Sequence, residues 1–171
     1  MESKTLVFGH PLHPMLIVFP LGLFISAVIF DILYLALDNP IFASVAFWDI
    51  AFGVTGGLLA AVFGFRDWLA IPQGTRAKRI GLVHGLGNFI VVVLFLLSLF
   101  LRWVSPDYTP SLLALIFSFT AVVIGAVAGW LGGELVDRLG VGVYPAANLN
   151  APSSLSEKQG DRHMPGQLSE H

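Results

Sequence analysis

Four stretches of this chain are apolar for long enough to cross a lipid bilayer: Pro14 to about Leu37, Ala46 to about Trp68, Ile80 to about Leu101, and Leu112 to about Leu131. A hydrocarbon core about 30 Å thick takes about 20 helical residues at about 1.5 Å each. A soluble domain is about 45–50% apolar and about 25% charged. This chain is 56% hydrophobic and 12% charged, with a mean hydropathy of +0.80. Inside a bilayer every backbone N–H and C=O must be satisfied by the protein itself, which makes each stretch a helix. The expected fold is therefore all-α, an integral membrane up-down four-helix bundle over residues 1–144, with helices at about 14–37, 46–68, 79–103 and 111–135. Residues 145–171 shift to Pro, Ala, Asn, Ser and single charges, a composition that cannot bury enough apolar surface to order itself, so a disordered tail is expected there.

Short turns set the order of the helices. Asp38-Asn39-Pro40 and Ser105-Pro-Asp-Tyr-Thr-Pro110 are turn signals, and short loops make neighbouring spans antiparallel. Eight of the nine basic residues (Lys4, Arg66, Arg76, Lys78, Arg79, Arg138, Lys158, Arg162) fall on the side of the termini and the second loop, and Arg102 alone on the other. The positive-inside rule then places both termini and the second loop in the cytoplasm. Met1 to Gly9 has no small-residue cleavage site after a brief apolar core, so no secretory signal is expected. Gly53-x-x-x-Gly57, Gly81-x-x-x-Gly85, Gly125-x-x-x-Gly129 and Gly129-x-x-x-Gly133 predict close helix contacts. No internal repeat aligns residue by residue.

Polar groups gather at one depth. His10 and His13 stand at the mouth of the first helix, and His84 lies just inside the third, with Asn88 a turn deeper on the same face. Arg66 and Asp67 leave the second helix, and Glu134 the fourth, at that level. Asp31 and Asp49 are placed at the opposite surface, and the middle of the membrane is expected to hold no charge. Ionisable groups within spans need partners or duties. One reading makes His10, His13 and His84, with Glu134 or Asp67, the ligands of a first-row transition metal such as zinc, iron or manganese. A variant makes His84 and a first-helix histidine the axial ligands of a b-type haem, with Asn88 beside it and Gly81, Gly85 and Gly87 leaving room for the porphyrin. The bland reading is a structural polar layer in which Arg66 or Asp67 and Glu134 pair across the helix ends.

At these residues the chain resembles a known family. His10-Pro-Leu-His13-Pro with Phe19-Pro-Leu-Gly22, Gly64-Phe-Arg-Asp67-Trp68, Gly81-Leu-Val-His84-Gly-Leu-Gly-Asn88, Gly129-Trp-Leu-Gly-Gly133-Glu-Leu-Val and Arg138-Leu-Gly-Val-Gly-Val143 resemble the DUF2231 family of predicted bacterial membrane proteins over about residues 8–155. A similar domain precedes a Rieske iron-sulfur domain in some bacteria, which implies an electron-transfer setting and a redox partner protein. Many relatives carry histidine after the Gly-Gly of the fourth helix, where this chain has Glu134. That departure replaces an imidazole by a carboxylate.

Several function classes are excluded. With no cysteine the chain has no disulfide, thiolate zinc site or self-held iron-sulfur cluster. No serine has a fitting base, so the chain does not read as an enzyme on its own. The single basic loop is explained by topology, and no nucleic-acid partner is expected. Two classes remain: a cofactor-binding electron-transfer protein, and a non-catalytic accessory or scaffold in the lipid bilayer, with a small-solute carrier less supported because few polar groups lie near the midplane. Self-association into a homo-oligomer stays open.

Overall fold

The computed structural model describes residues 1–155, so the remainder of the predicted disordered tail lies outside the described residues. A two-stranded antiparallel hairpin opens the chain, β1 (Leu6–Val7) against β2 (His10–Pro11), with Val7 opposite His10. Phe8 and Gly9 turn it with φ of 50° and 84°, the doubly left-handed geometry that tight hairpins use. Five helices follow: α1 (Leu12–Leu16), α2 (Val18–Leu37), α3 (Pro40–Ala70), α4 (Arg76–Trp103) and α5 (Leu112–Gly133), which runs on into a π-helical turn, Glu134–Arg138. Together α1 and α2 form the first of four candidate membrane spans, Leu12–Leu37, followed by Pro40–Ala70, Arg76–Trp103 and Pro106–Arg138.

Local chemistry explains the helix ends. Pro20 has no N–H to give the Leu16 carbonyl, and the ladder is interrupted there, which separates α1 from α2 at Ile17. Asn39 caps α3 by accepting from the Ile41 N–H at 3.1 Å, with Pro40 in the first turn. The cap extends α3 back from residue 46 to Pro40. Thr75 caps α4 by accepting from Lys78 N–H at 3.1 Å, and Ser111 caps α5 by accepting from Ala114 N–H at 3.2 Å.

The helices pack as two hairpins, α2 on α3 and α4 on α5, and these close through α3 on α4 and α2 on α5. The core is Phe24, Ala27, Ala46, Ile50, Val54, Val91, Phe95 and Ala121, while the outer faces carry exposed Leu, Ile, Val and Phe, as lipid contact demands.

A repeat absent from the residue-by-residue reading of the sequence emerges from the packing. His13 and His84, Phe24 and Phe95, Ala27 and Ser98, and Asp31 and Arg102 are each 71 positions apart. On the other arms Ala46 and Ala114, Ile50 and Ser118, Gly53 and Ala121, Ala60 and Ala128, and Gly64 and Gly132 are each 68 apart. The Phe24 and Phe95 rings stack at 4.0 Å between centroids and 4° between planes, and Arg102 contacts Asp31 at 2.7 Å. Equivalent residues that touch one another lie on a two-fold axis. The hairpins are thus related by a local two-fold along the bundle, with α2 and α4 parallel on either side of it. On α4 the axis face repeats at His84, Asn88, Val91, Phe95, Ser98 and Arg102, alternating steps of four and three.

The expected glycine contacts are corrected in part. Gly53 faces the Phe24 ring, where a Cβ would sit 2.7 Å from it, and Gly57 packs on Val92 and Pro20. Gly81 seats Trp68 and Gly125 touches Val91, but Gly85, Gly129 and Gly133 face open space. Those three spacings therefore join at most one glycine to a neighbour. Spacing alone cannot tell which side of a helix meets protein and which meets lipid.

Candidate functional site

Two imidazoles stand at the end of the bundle where the hairpin β1–β2 lies. His13, in α1, bonds through Nδ1 to the Ala60 carbonyl of α3 at 2.9 Å. His84, in α4, does the same to the Ala128 carbonyl of α5 at 2.8 Å. A carbonyl oxygen only accepts, so in each ring Nδ1 carries the proton and Nε2 keeps its lone pair. Each ring also lies on a glycine of the same neighbouring helix. A Cβ on Gly64 would come within 2.7 Å of the His13 ring, and one on Gly132 within 3.0 Å of the His84 ring. The module of histidine, alanine carbonyl and glycine seat thus occurs twice, once in each half.

The rings share a face with the axis residues. From His13 to Phe24, and from His84 to Phe95, is eleven positions, three turns of helix at about 3.6 residues each. Phe24 and Phe95 meet on the axis, and the two histidines lie within electrostatic reach of each other. Asn88 binds in the same place. Its amide nitrogen donates to the His84 carbonyl at 2.9 Å and lies 3.2 Å from Nε2 of that ring, which bears out the shared face of the two residues.

The other sequence candidates go elsewhere. His10 belongs to strand β2, two residues before the first helix starts, and its Nε2 lies 3.3 Å from the Ser154 hydroxyl. The hairpin gives it a different direction from His13, although they are three apart in sequence. Asp67 anchors the N-terminal segment: Ser3 Oγ lies 2.9 and 2.8 Å from its two oxygens, and the Lys4 N–H donates to it at 2.8 Å. Glu134 pairs with Arg76 at 2.6 Å, not with Arg66 or Asp67 as the polar-layer reading had it. Arg76 begins α4 beside the end of α5, whereas Arg66 is exposed and has no partner among the described residues. No group of three or more His, Cys, Asp or Glu side chains gathers as a metal cage among the described residues. The five-residue ligand set of His10, His13, His84, Asp67 and Glu134 is therefore not assembled here. Glu134→Gln is expected to cost at most about 1 kcal/mol, as for exposed ion pairs in general, and to leave the His84 bond intact, measured as a small shift of the unfolding midpoint in detergent.

At the opposite end, the expectation that charge stays at the surface is corrected. Asp31 and Arg102 are both fully buried. The guanidinium grips the carboxylate with both arms, Nη1 to Oδ1 at 2.8 Å and Nη2 to Oδ2 at 2.7 Å. Arg102 Nε donates to Ser98 Oγ at 3.2 Å, and the Ser98 and Ser118 hydroxyls meet at 2.9 Å, Ser98 also donating to the Ala114 carbonyl. Counting along the helix gives depth but not azimuth, and azimuth is what turns both charges inward. Asp49, expected beside Asp31, has Oδ2 buried without a hydrogen-bond partner among the described residues. Lys78 stands by sequence among the basic residues of the second loop. It is instead buried, with Nζ donating to the Trp68 carbonyl at 2.7 Å and lying 4.0 Å from the Trp68 ring centre, a cation on the last carbonyls of α3.

The family model for DUF2231, predicted membrane proteins, matches residues 9–145. That span takes in all four membrane-crossing segments and both imidazoles. The chain belongs to the DUF2231 family. Comparison with curated proteins and with solved structures gives no match. With four candidate spans, this DUF2231 member is an integral membrane protein that sits in a lipid bilayer.

Proposed function

We propose that His13 and His84 form a bis-imidazole site that takes a b-type haem, and that the protein serves electron transfer in the bacterial inner membrane with both termini cytoplasmic. The observation that carries this reading is the doubled module: two equivalent rings beside one axis, each with Nδ1–H committed to a backbone carbonyl and an unprotonated Nε2, which at His84 meets the Asn88 amide. Ligating histidines characteristically tie their second nitrogen to a carbonyl or carboxylate, which fixes the tautomer and raises the basicity of the ligating nitrogen. Two imidazoles without a third ligand would suit a b-type haem better than a tetrahedral ion, which takes three or four protein ligands.

Bound there, such a group would supply one-electron chemistry with a partner protein. The chain's own residues would do the rest. Ala60 and Ala128 orient the rings, Gly64 and Gly132 make room for them, and Asn88 withdraws from His84 Nε2. The eight-to-one distribution of basic residues supports the orientation.

A second reading, a non-catalytic accessory or scaffold with a purely structural polar layer, draws on the same two bonds, since each ties one helix to its neighbour. An absorption spectrum separates them. Protein expressed with ample haem and purified in detergent is expected to show a Soret band that both His13→Ala and His84→Ala abolish while the protein stays in the membrane. A featureless spectrum with no stoichiometric metal would overturn the haem reading and leave the scaffold.

A further inference from the structure

The local two-fold raises a question of partner choice. If the hairpins α1–α3 and α4–α5 are copies of one design, either could dock on a second copy of itself from another chain. Most of the seam would permit it. Phe24 would meet Phe24 as it now meets Phe95 across the axis, and Ala27 and His13, on the same face, would bring no charge to the seam. One position forbids it. Asp31 on itself would bury two carboxylates, and Arg102 on itself two guanidiniums, in a site with no exposure to solvent. Like charges in such a place cost several kcal/mol, and unlike ones are tolerated only with bidentate geometry and further hydrogen bonds. The native pair has both: two arms at 2.7 and 2.8 Å and support from Ser98.

We propose that Asp31 and Arg102 are a pairing code that makes the first hairpin select the second and refuse a second copy of itself. Polar residues at a single seam position set partner choice in coiled coils in the same manner. The code acts at one point because that is where the seam carries opposite charges, and Ser98 and Ser118, which stand where the first hairpin has Ala27 and Ile50, reinforce it. Exchange between chains would open the connection Ile71–Thr75, a short hinge of the kind that permits swapping.

Full-length chains carrying two different tags test this. Asp31→Arg alone puts two arginines on the seam, and Arg102→Asp alone puts two aspartates there. Each repels within itself, yet between the two variants every seam can be complementary. Co-expressed, the two variants are expected to co-purify. Two tagged copies of the wild type, or of either single variant, are expected not to. The double variant Asp31→Arg with Arg102→Asp restores opposite charges within one chain and is expected to accumulate and elute as the wild type does, with a lower unfolding midpoint because Ala27 stands where Ser98 supports the native arginine. Absence of co-purification, or equal co-purification of same-variant pairs, overturns the proposal. So does a double variant that fails to accumulate, because the pair would then depend on which helix bears which charge and not on complementarity.

Discussion

Arg102→Met is expected to lower the unfolding free energy of the bundle by about 3–5 kcal/mol, the cost of leaving one partner of a buried ion pair alone. Asp31 is fully buried, its two oxygens are taken up by the guanidinium, and no other cation contacts it among the described residues. The hydroxyls of Ser98 and Ser118 bond to Arg102, to each other and to the Ala114 carbonyl, and not to Asp31. Equilibrium unfolding in mixed micelles would measure the loss. A change under about 1 kcal/mol, the size of an exposed pair, would show that the carboxylate finds water.

The second large effect is expected at Gly64. Valine there would place its Cβ 2.7 Å from the His13 ring, closer than any carbon contact tolerates, and two further methyl groups would follow. The ring must leave, and with it the bond to the Ala60 carbonyl. Overpacking costs about 1–3 kcal/mol and the lost hydrogen bond about 0.5–1.5 kcal/mol. Gly132→Val should act in the same way on His84, but less strongly, because the gap is 3.0 Å. If the haem reading holds, both variants should also lose the Soret band. Valine at Gly85 or Gly133, which face open space, is the matched control and should change little beyond helix propensity.

Apolar run length made the four spans legible, and the turn at Asp38-Asn39-Pro40 made the first connection so. That His13 and His84 share one end of the bundle was legible as well, because about 1.5 Å per residue is a sound ruler along a helix. What could not be read was direction around the axis. Asp31 looked like a surface charge because its height was right, and His10 looked like a neighbour of His13 because nothing in the residues showed that a hairpin would hold His10 while the helix, expected from Pro14, already takes in His13 from Leu12. Nor could alignment find the repeat. The two arms of each half are related by different offsets, 71 and 68, and the equivalents include Asp31 with Arg102 and Ile50 with Ser118, pairs that similarity scoring counts against kinship. Proximity in space restores the correspondence, because in this fold opposite charges are what equivalence requires.

Between the two polar ends of the bundle lie Phe24 and Phe95, stacked face to face on the axis, with Phe95 fully buried. From His84 to Arg102 is eighteen residues, about 27 Å of helix, and across its middle the aromatic rings act as an insulating plug. Among the described residues no chain of hydroxyl side chains joins the imidazoles to the ion pair, since Val91 and Phe95 stand between Asn88 and Ser98 on that face of α4. The transmembrane voltage must therefore drop largely across that hydrocarbon segment. If the haem reading holds, electrons are exchanged with acceptors at the imidazole end, which would make the protein a one-sided device and not a conduit between the two aqueous compartments.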